Sequence, residues 1–355
     1  MIFSLDYDDL MDVVTGAGFL GTGGGGSVET GRDIVEDKLD GAEMVSVDEV
    51  EDDSRVVVGS GMGAPEALYE RGWGDVTVSA FRALEDFVGY EFDYILTPEI
   101  GASTTLGTMT VTSELGVPIV DGDGAGRAVP ELQMSMYSLM NVPPCPASVA
   151  DDRGNSVILN TDDSSKLEDL SRAVTRELGN HAGFVAYPMS GEKMKEVIIE
   201  GTISLSLDIG RLIRKSKLKG SNTVNKLTEE VNGFELISGE VVDKETETRE
   251  GFDFGEVMIR GSGSHENDVL TVKFKNENML ALKNDEVVAM SPDRICWISL
   301  DGEPLTNVDI SVGEEVACIG IKAPEEWRVE KGKKAFKEVH KSLEYKGEYN
   351  PIENI

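Results

Sequence analysis

Apolar residues in the first 120 positions alternate between helical spacing and short strand-like runs. Helical spacing predicts helices over residues 6–20, 27–39, 76–88 and 104–115, with Ser27 as an N-cap. Apolar runs predict strands at residues 56–58, 94–96 and 117–120, with Pro118 at the start of the third strand. From residue 56 the order is strand, helix, strand, helix, strand, which predicts a largely parallel sheet covered by helices.

The apolar pattern changes in the second half of the chain. It predicts helices over residues 130–140 and 165–178, and one long helix over 192–215 that Gly201 and Gly210 loosen. From about residue 234 to 322 apolar residues alternate with a period of two, which predicts an antiparallel β barrel or sandwich. The lysine-rich tail from Glu325 predicts a peripheral helix with a loose end.

These patterns divide the chain of 355 residues into two predicted domains. Residues 1–164 form an N-terminal α/β domain. Residues 165–355 form a smaller C-terminal α+β domain that contains the β-rich unit at about 234–322. The fold class is therefore α/β with an added antiparallel β unit.

The formal charge of −33 is concentrated in the first half of the chain. Residues 1–165 hold 31 acids and 7 bases, hence −24, whereas residues 166–355 hold 35 acids and 26 bases, hence −9. This charge repels nucleic acid and anionic membranes, so we expect neither as a partner. A solvated acidic surface suited to a salty cytoplasm and a cation-binding role both explain the charge.

The sequence also restricts the expected location of the protein and the kinds of cysteine site that it can form. No apolar stretch reaches the length of a membrane span, and the N-terminus lacks a basic start and a long apolar region, so we expect a cytoplasmic protein. The three cysteines include no Cys-x-x-Cys pair, which argues against a disulfide framework or a zinc knuckle. We expect Cys296 and Cys318 to be packed thiols inside strands.

A glycine-rich loop, Gly21-Thr22-Gly23-Gly24-Gly25-Gly26, joins the first two predicted helices. A Walker loop and a dinucleotide fingerprint both follow a strand, and this loop follows a helix, so no nicotinamide or flavin cofactor is expected. The backbone N–H groups that open the second helix remain a candidate anion or oxyanion site.

Polar or glycine-rich segments follow all three predicted strands of the parallel sheet. They are Gly61-Met62-Gly63 with its flanks, Glu99-Ile100-Gly101 through Thr104, and Asp121-Gly122-Asp123 through Arg127 and Glu131. Ligands of open α/β sheets bind beyond the carboxyl ends of the strands, so we expect these segments to converge on one site.

The acidic segment, Asp121–Glu131, offers two kinds of chemistry. Asp121 and Asp123 lie close enough in sequence to raise one pKa by repulsion, while Arg127 would lower it, which can create a general base. With Glu99 as a third oxygen ligand, the same acids could instead bind a divalent cation. A solvated acidic turn with a structural Arg127, and Glu131 capping a helix, are the structural alternatives.

The motifs in this order resemble the S-methyl thiohydantoin desulfurase-like family, formerly a domain of unknown function that accompanies hydantoinase/oxoprolinase enzymes. The resemblance rests on Leu20–Gly26, Gly61–Pro65, Glu99–Gly101 and Asp121–Glu131, with weaker similarity at Gly201–Ser204 and Ser291–Asp293. One departure concerns substrate identity. The family pattern continues Gly-Gly-x-Asn after the glutamate, whereas this chain has Thr104, a hydroxyl, in place of the amide.

The resemblance implies an N-terminal α/β domain, a smaller C-terminal domain and activity on a five-membered cyclic ureide or its sulfur analogue. We expect a hydrolase in which Asp121 or Asp123 activates water, Glu99 assists or donates a proton, and Arg127 orients the acids or holds a substrate carboxylate. The predicted substrate-binding residues are Thr22, Gly23, Gly24, Gly25, Gly26, Gly61, Met62, Gly63, Thr104 and Glu131.

Two other functions stay open at the level of sequence. The chain could be a non-catalytic binding or regulatory partner of a hydantoinase/oxoprolinase-type enzyme, because it has no complete catalytic triad. It could also be a sensor that binds a small anion or nucleotide at the glycine loop. A homo-oligomer is compatible with either function.

Overall fold

The computed structural model describes residues 2–63, 72–249 and 251–354. Its helices are α1 (Tyr7–Leu20), α2 (Val28–Lys38), α3 (Val76–Val88), α4 (Ala102–Leu115), α5 (Met136–Leu139), α6 (Ser164–Glu177), α7 (Gly191–Val197), α8 (Thr202–Leu218), α9 (Thr223–Glu230), α10 (Glu330–Ala335) and α11 (Lys337–Ser342). Asp6 caps α1 and Ser27 caps α2 through their side-chain oxygens, so the N-cap predicted at Ser27 is confirmed.

The first sheet combines parallel and antiparallel strands. Among the described residues it contains β1 (Ile2–Leu5), β2 (Ala42–Val45), β3 (Arg55–Gly63), β4 (Tyr94–Thr97), β5 (Ile119–Asp123), β6 (Ala147–Ala150), β7 (Ser156–Leu159), β8 (His181–Ser190) and β9 (Ile199–Glu200). The order is β1-β2-β5-β4-β3-β8-β6-β7, with β9 added beside β5. Strands β2 to β5 are mutually parallel, and the strand–helix alternation predicts this arrangement for β3, β4 and β5. The sheet extends past residue 164, because β8 pairs with β3 and β9 pairs with β5.

The second sheet is antiparallel throughout. It contains β10 (Phe234–Arg249), β11 (Phe252–Gly261), β12 (Val269–Lys275), β13 (Glu277–Lys283), β14 (Glu286–Met290), β15 (Arg294–Ser299), β16 (Pro304–Leu305) and β17 (Glu315–Ile321). The order is β14-β13-β12-β11-β10-β17-β15-β16. The change to a period of two at residue 234 therefore locates this β-rich unit, while its closure as a barrel or sandwich stays a prediction. Cys296 and Cys318 are buried in it as packed thiols.

The long helix predicted over residues 192–215 is wrong, because two helices, α7 and α8, cover this region. The chain breaks at the short strand β9 and at Gly201, which has a left-handed φ of 72°. Gly210 does not loosen α8. A Cβ there would lie 1.9 Å from the carbonyl oxygen of Asp12, so this glycine lets α8 pack directly on α1.

Two further predictions differ from the structure. The helix predicted over residues 130–140 is a 3₁₀ turn at Leu132–Met134 followed by the single-turn α5. The tail is not peripheral, since Trp327 and Phe336 are fully buried with ring centroids 5.1 Å apart. The indole Nε1 of Trp327 donates to the Ala125 carbonyl oxygen at 2.8 Å, which fixes the tail beside the acidic segment.

Candidate functional site

The carboxyl ends of β4 and β5 meet the β-rich unit at the glycine loop. Glu99 follows β4, Asp123 ends β5, and the loop between α1 and α2 lies against both sheets. The amide of Asn278 donates to the Thr22 carbonyl oxygen at 2.7 Å, and the amide of Asn307 donates to the Gly23 carbonyl oxygen at 2.8 Å. The segments at Glu99 and Asp123 therefore lie together at the glycine loop, and residues of the second sheet contact the same loop.

The glycine loop is shaped by close backbone approach. Thr22, Gly23, Gly25 and Gly26 all have positive φ, and a Cβ on Gly25 would lie 2.4 Å from the Cα of Gly101. The Gly25 carbonyl oxygen accepts from the first-turn amides of α4, at 3.0 Å from the Ser103 nitrogen and 3.2 Å from the Thr104 nitrogen. Within the described part of the chain, the amides of Gly23, Gly25 and Gly26 have no hydrogen-bond acceptor.

Glu99 is a partly accessible carboxyl with two protein donors. Its Oε2 accepts from the Val129 amide at 2.8 Å, and its Oε1 accepts from the Thr104 hydroxyl at 3.1 Å. Desolvation in the protein interior raises the pKa of Glu99 to about 7, and the charge of Asp123 adds to the rise. The two hydrogen bonds oppose this rise because they favour the ionised form. Glu99 can therefore both hold and release a proton near neutral pH.

Asp123 is fully buried, and only one of its oxygens is hydrogen-bonded. Its Oδ1 accepts from the amides of Ala125 and Gly126, the latter at 2.6 Å. Its Oδ2 forms no geometrically defined hydrogen bond with the described residues, although the buried hydroxyl of Thr202 lies close enough to lower the pKa of Asp123. Burial raises the pKa of Asp123 to about 6, although the amides of Ala125 and Gly126 and the guanidinium of Arg294 lower it. Oδ2 is therefore buried in the protein interior without a backbone donor.

Asp121 has a different set of partners although it lies on the same strand. Its Oδ1 accepts from the amides of Ile203 and Ser204 at 3.1 and 3.0 Å, and its Oδ2 accepts from the Ser204 hydroxyl at 2.5 Å. These donors form the first turn of α8, so the Asp121 carboxylate satisfies a helix N-terminus. Asp121 therefore has a side-chain or backbone donor on each oxygen, whereas Asp123 has backbone donors on one oxygen only.

The sequence analysis predicts that Arg127 orients the carboxylates of the acidic segment. In the structure, Arg127 does not pair with them. Its guanidinium is fully buried and donates to three backbone carbonyl oxygens, of Ala128 at 3.1 Å, Asp293 at 3.1 Å and Asn278 at 2.7 Å. Burial lowers the pKa of Arg127 to about 10. The side chain thus links the segment after β5 to the β-rich unit, and each of its three nitrogens donates to a backbone carbonyl oxygen.

Glu277, at the start of β13, is a buried carboxyl beside the glycine loop that the sequence analysis did not single out. Its carboxyl is buried against Gly24, and its Oε2 has no hydrogen-bond partner among the described residues. Burial raises its pKa well above the usual value, and the charge of Glu99 raises it further. Its position depends on the packing of one sheet against the other, and no local motif marks it.

The remaining predicted binding residues are Glu131 and the segment Gly61–Gly63. Glu131 pairs with Lys275 and accepts from the Gln133 amide, so it links the acidic segment to β12. Gly61, Met62 and Gly63 lie inside β3, paired with Gly183, Ala182 and His181 of β8. Strand β3 therefore continues past Gly59, where the predicted strand ends. The glycines in this part of β3 permit the close approach of a neighbouring aromatic ring. Ala64 and Pro65 of the same motif lie outside the described residues.

The structure does not gather the predicted cation ligands Glu99, Asp121 and Asp123. Nowhere in residues 2–63, 72–249 and 251–354 do three His, Cys, Asp or Glu side chains form a group that could hold a metal ion. Asp121 is engaged by α8, and Glu99 and Asp123 each use an oxygen for backbone amides. Across the same ranges, no helix is long and apolar enough to cross a bilayer.

Comparison with known proteins decides the family. A model of the S-Me-THD-like N-terminal domain matches residues 8–161, and a model of the S-Me-THD-like C-terminal domain matches residues 161–352. The chain belongs to the S-Me-THD-like family. No curated protein matches this chain.

A solved structure supports the fold of this S-Me-THD-like chain. The crystal structure of a protein from Chromobacterium violaceum is similar to it with a TM-score of 0.85 and 27% sequence identity. The match covers 99% of this chain and 100% of the other. The two family models confirm the resemblance inferred from the sequence motifs.

Proposed function

We propose that this S-Me-THD-like chain is a hydrolase that removes the sulfur substituent from an S-methyl thiohydantoin-type ring. The family suggests a desulfurase-like role. The observation that carries the proposal is the meeting of Glu99 and Asp123, whose pKa values are raised to about 7 and about 6, at the glycine loop. Acids whose pKa values lie near neutrality are suited to general acid–base chemistry.

The two acids have complementary roles between pH 6 and pH 7. Asp123, with the lower pKa, is the more ionised, and its Oδ2 has no backbone donor, so in this proposal it accepts a proton from water. Glu99, with the higher pKa, holds its proton longer and donates it to the leaving sulfur. A pair of carboxyls with separated pKa values can in this way divide acid and base work.

The reaction balances with these two groups and water. The water oxygen bonds to the ring carbon that bears the S-methyl group, while Asp123 takes the water proton and passes it to the ring nitrogen. The carbon–sulfur bond then breaks, and Glu99 protonates the leaving thiolate to give methanethiol. The added hydroxyl becomes the ring carbonyl and returns its proton to Glu99. The unpaired amides of the glycine loop would stabilise the negative charge that develops during attack.

The experiment compares Asp123→Asn with Asp121→Asn in an assay that detects thiol release and ring opening separately. We expect Asp123→Asn to lower kcat by about 10²–10⁴-fold, since it removes the base. Asp121→Asn should lower stability by about 1 kcal/mol and retain most activity, because it weakens the cap of α8.

Three outcomes separate the alternatives. Full turnover by Asp123→Asn would refute the assignment of the base. Ring opening without thiol release would replace desulfurisation with hydrolysis of a ring carbon–nitrogen bond. No turnover by the wild-type chain, together with a stoichiometric complex with a hydantoinase/oxoprolinase-type enzyme, would refute the hydrolase and support the partner function.

A further inference from the structure

The carboxyl of Glu277 fits into a space that exists because residue 24 is glycine. A Cβ built on Gly24 would lie 2.1 Å from Oε1, 2.6 Å from Cγ and 2.7 Å from Cδ of Glu277. These three atoms are the nearest neighbours of that position, so the whole carboxyl lies against the loop backbone. Glu277 is 4% exposed, so its carboxyl is largely removed from bulk water.

The cations near Glu277 are engaged elsewhere. Arg127 donates to backbone carbonyl oxygens, and Lys275 pairs with Glu131. Arg172 pairs with Glu168, through Nε and Oε1 at 2.5 Å. Across the described part of the chain, Glu277 forms no ion pair. A buried carboxyl without an ion pair is more stable in its neutral form.

The charges that act on Glu277 agree with this protonation state. Burial is the largest influence and raises its pKa well above the usual value, and Glu99 raises it further. Arg127, Arg172 and the residue's own backbone N–H oppose the rise to a smaller extent. A neutral carboxyl has one O–H donor, and Oε2 has no hydrogen-bond partner among the described residues.

We propose that Glu277 is a further catalytic residue whose carboxyl O–H donates a hydrogen bond to a heteroatom of the bound ring. This inference rests on the proposed function, since it takes the thiohydantoin-type ring as the ligand. Glu277 adds a side-chain donor to the unpaired amides of Gly23, Gly25 and Gly26 on the same wall of the site. Donors placed before the reaction stabilise negative charge as it develops on the ring.

The test uses Glu277→Gln and Glu277→Leu in the full chain. Glutamine keeps a donor of similar size and cannot ionise, so we expect kcat/KM within about three-fold of wild type. Leucine fills the space without a donor and should lower kcat/KM by about 10²–10³-fold. Infrared difference spectra of wild type against Glu277→Gln at pH 8 should contain the carbonyl stretch of one protonated carboxyl, which a structural role would not require.

The outcomes keep this inference apart from the proposed function. Absence of the protonated-carboxyl band would overturn the donor role, whatever the turnover of Asp123→Asn. Equal activity of Glu277→Leu and wild type would overturn it as well. A wild-type chain that has the band and neither turns over nor binds hydantoin by calorimetry would refute the proposed function, and with it the ring as the acceptor.

Discussion

Two glycine-rich regions of this chain serve different purposes. The loop at residues 21–26 lies between the two sheets, where Gly24 contacts the carboxyl of Glu277 and Gly25 contacts the backbone of Gly101. The segment at residues 59–63 lies inside the first sheet, where Gly61 contacts the ring of Trp73 and pairs with β8. Both regions use glycine for close approach.

The neighbours of each glycine region account for the difference. The loop approaches a carboxyl and leaves three amides unpaired, so it can face a ligand. The strand segment approaches an indole and the backbone of β8, so its glycines are explained by packing. A glycine-rich motif therefore predicts the close approach of another group to the backbone. Which group approaches decides whether the motif can bind a ligand or serves packing.

The largest effect should come from Gly25→Ala in the loop. The new methyl would meet the Cα of Gly101 at 2.4 Å, and the positive φ of 73° adds backbone strain. We expect a loss of about 3 kcal/mol in the free energy of unfolding, measured by urea titration. Gly116→Ala is the matched control, since Gly116 has a φ of 70° and no atom within 4 Å, and should cost about 1 kcal/mol. Equal losses would contradict close approach at Gly25.

Gly61→Ala should have a moderate effect on stability and little effect on turnover. Its methyl would meet the Trp73 ring at 2.6 Å, which requires the indole to shift and costs about 1–2 kcal/mol. Kinetics at a temperature where the variant stays folded should give a kcat/KM near that of wild type. A loss of turnover well beyond the unfolded fraction would place the predicted binding segment Gly61–Gly63 in the site.

A double-mutant cycle tests the contact between Gly24 and Glu277. Gly24 lacks a positive φ, so Gly24→Ala should destabilise by about 1 kcal/mol through the carboxyl alone. In the Glu277→Ala background the same substitution should be nearly neutral in urea titrations, because the nearest atoms have been removed. Additive losses would show that the Glu277 carboxyl does not occupy this space.

The smallest effect should come from Thr104→Val, which removes a donor to Glu99 and keeps the shape of the side chain. The Thr104 hydroxyl favours the ionised form of Glu99, so its loss should raise the pKa of Glu99. The alkaline limb of the pH–rate profile should then move to higher pH with little change in the maximum. An alkaline limb at the same pH as in wild type would show that the Thr104 hydroxyl does not affect the pKa of Glu99.

Local patterns predicted the elements that have strong periodicity and clear caps. The predicted bounds of α3 match the structure, α1 and α2 differ from it by one residue at their ends, and the parallel order of β3, β4 and β5 follows from strand–helix alternation. The sequence analysis missed β1 and β2, because each has only four residues and neither has a run of β-branched side chains. The short β9 was hidden inside a helical pattern that Gly201 ends.

The sequence analysis predicted only those residues of the candidate site that local motifs mark. Glu99 and Asp123 were predicted as site residues because both lie at the carboxyl ends of strands of the parallel sheet. The different partners of Asp121 and Asp123 could not be read from their spacing, since the donors to Asp121 come from α8, about 80 residues later. Glu277 and the backbone partners of Arg127 depend on the packing of the second sheet against the first.

The central claim is that Asp123 and Glu99 divide base and acid work, and the pH dependence of kcat/KM for S-methyl thiohydantoin hydrolysis tests it most directly. Activity should rise as Asp123 loses its proton, near pH 6, and fall as Glu99 loses its proton, near pH 7. The account predicts a narrow bell between these limbs, with the acidic limb abolished in Asp123→Asn. A profile that is flat from pH 5 to pH 8, or one that Asp123→Asn leaves unchanged, would contradict it.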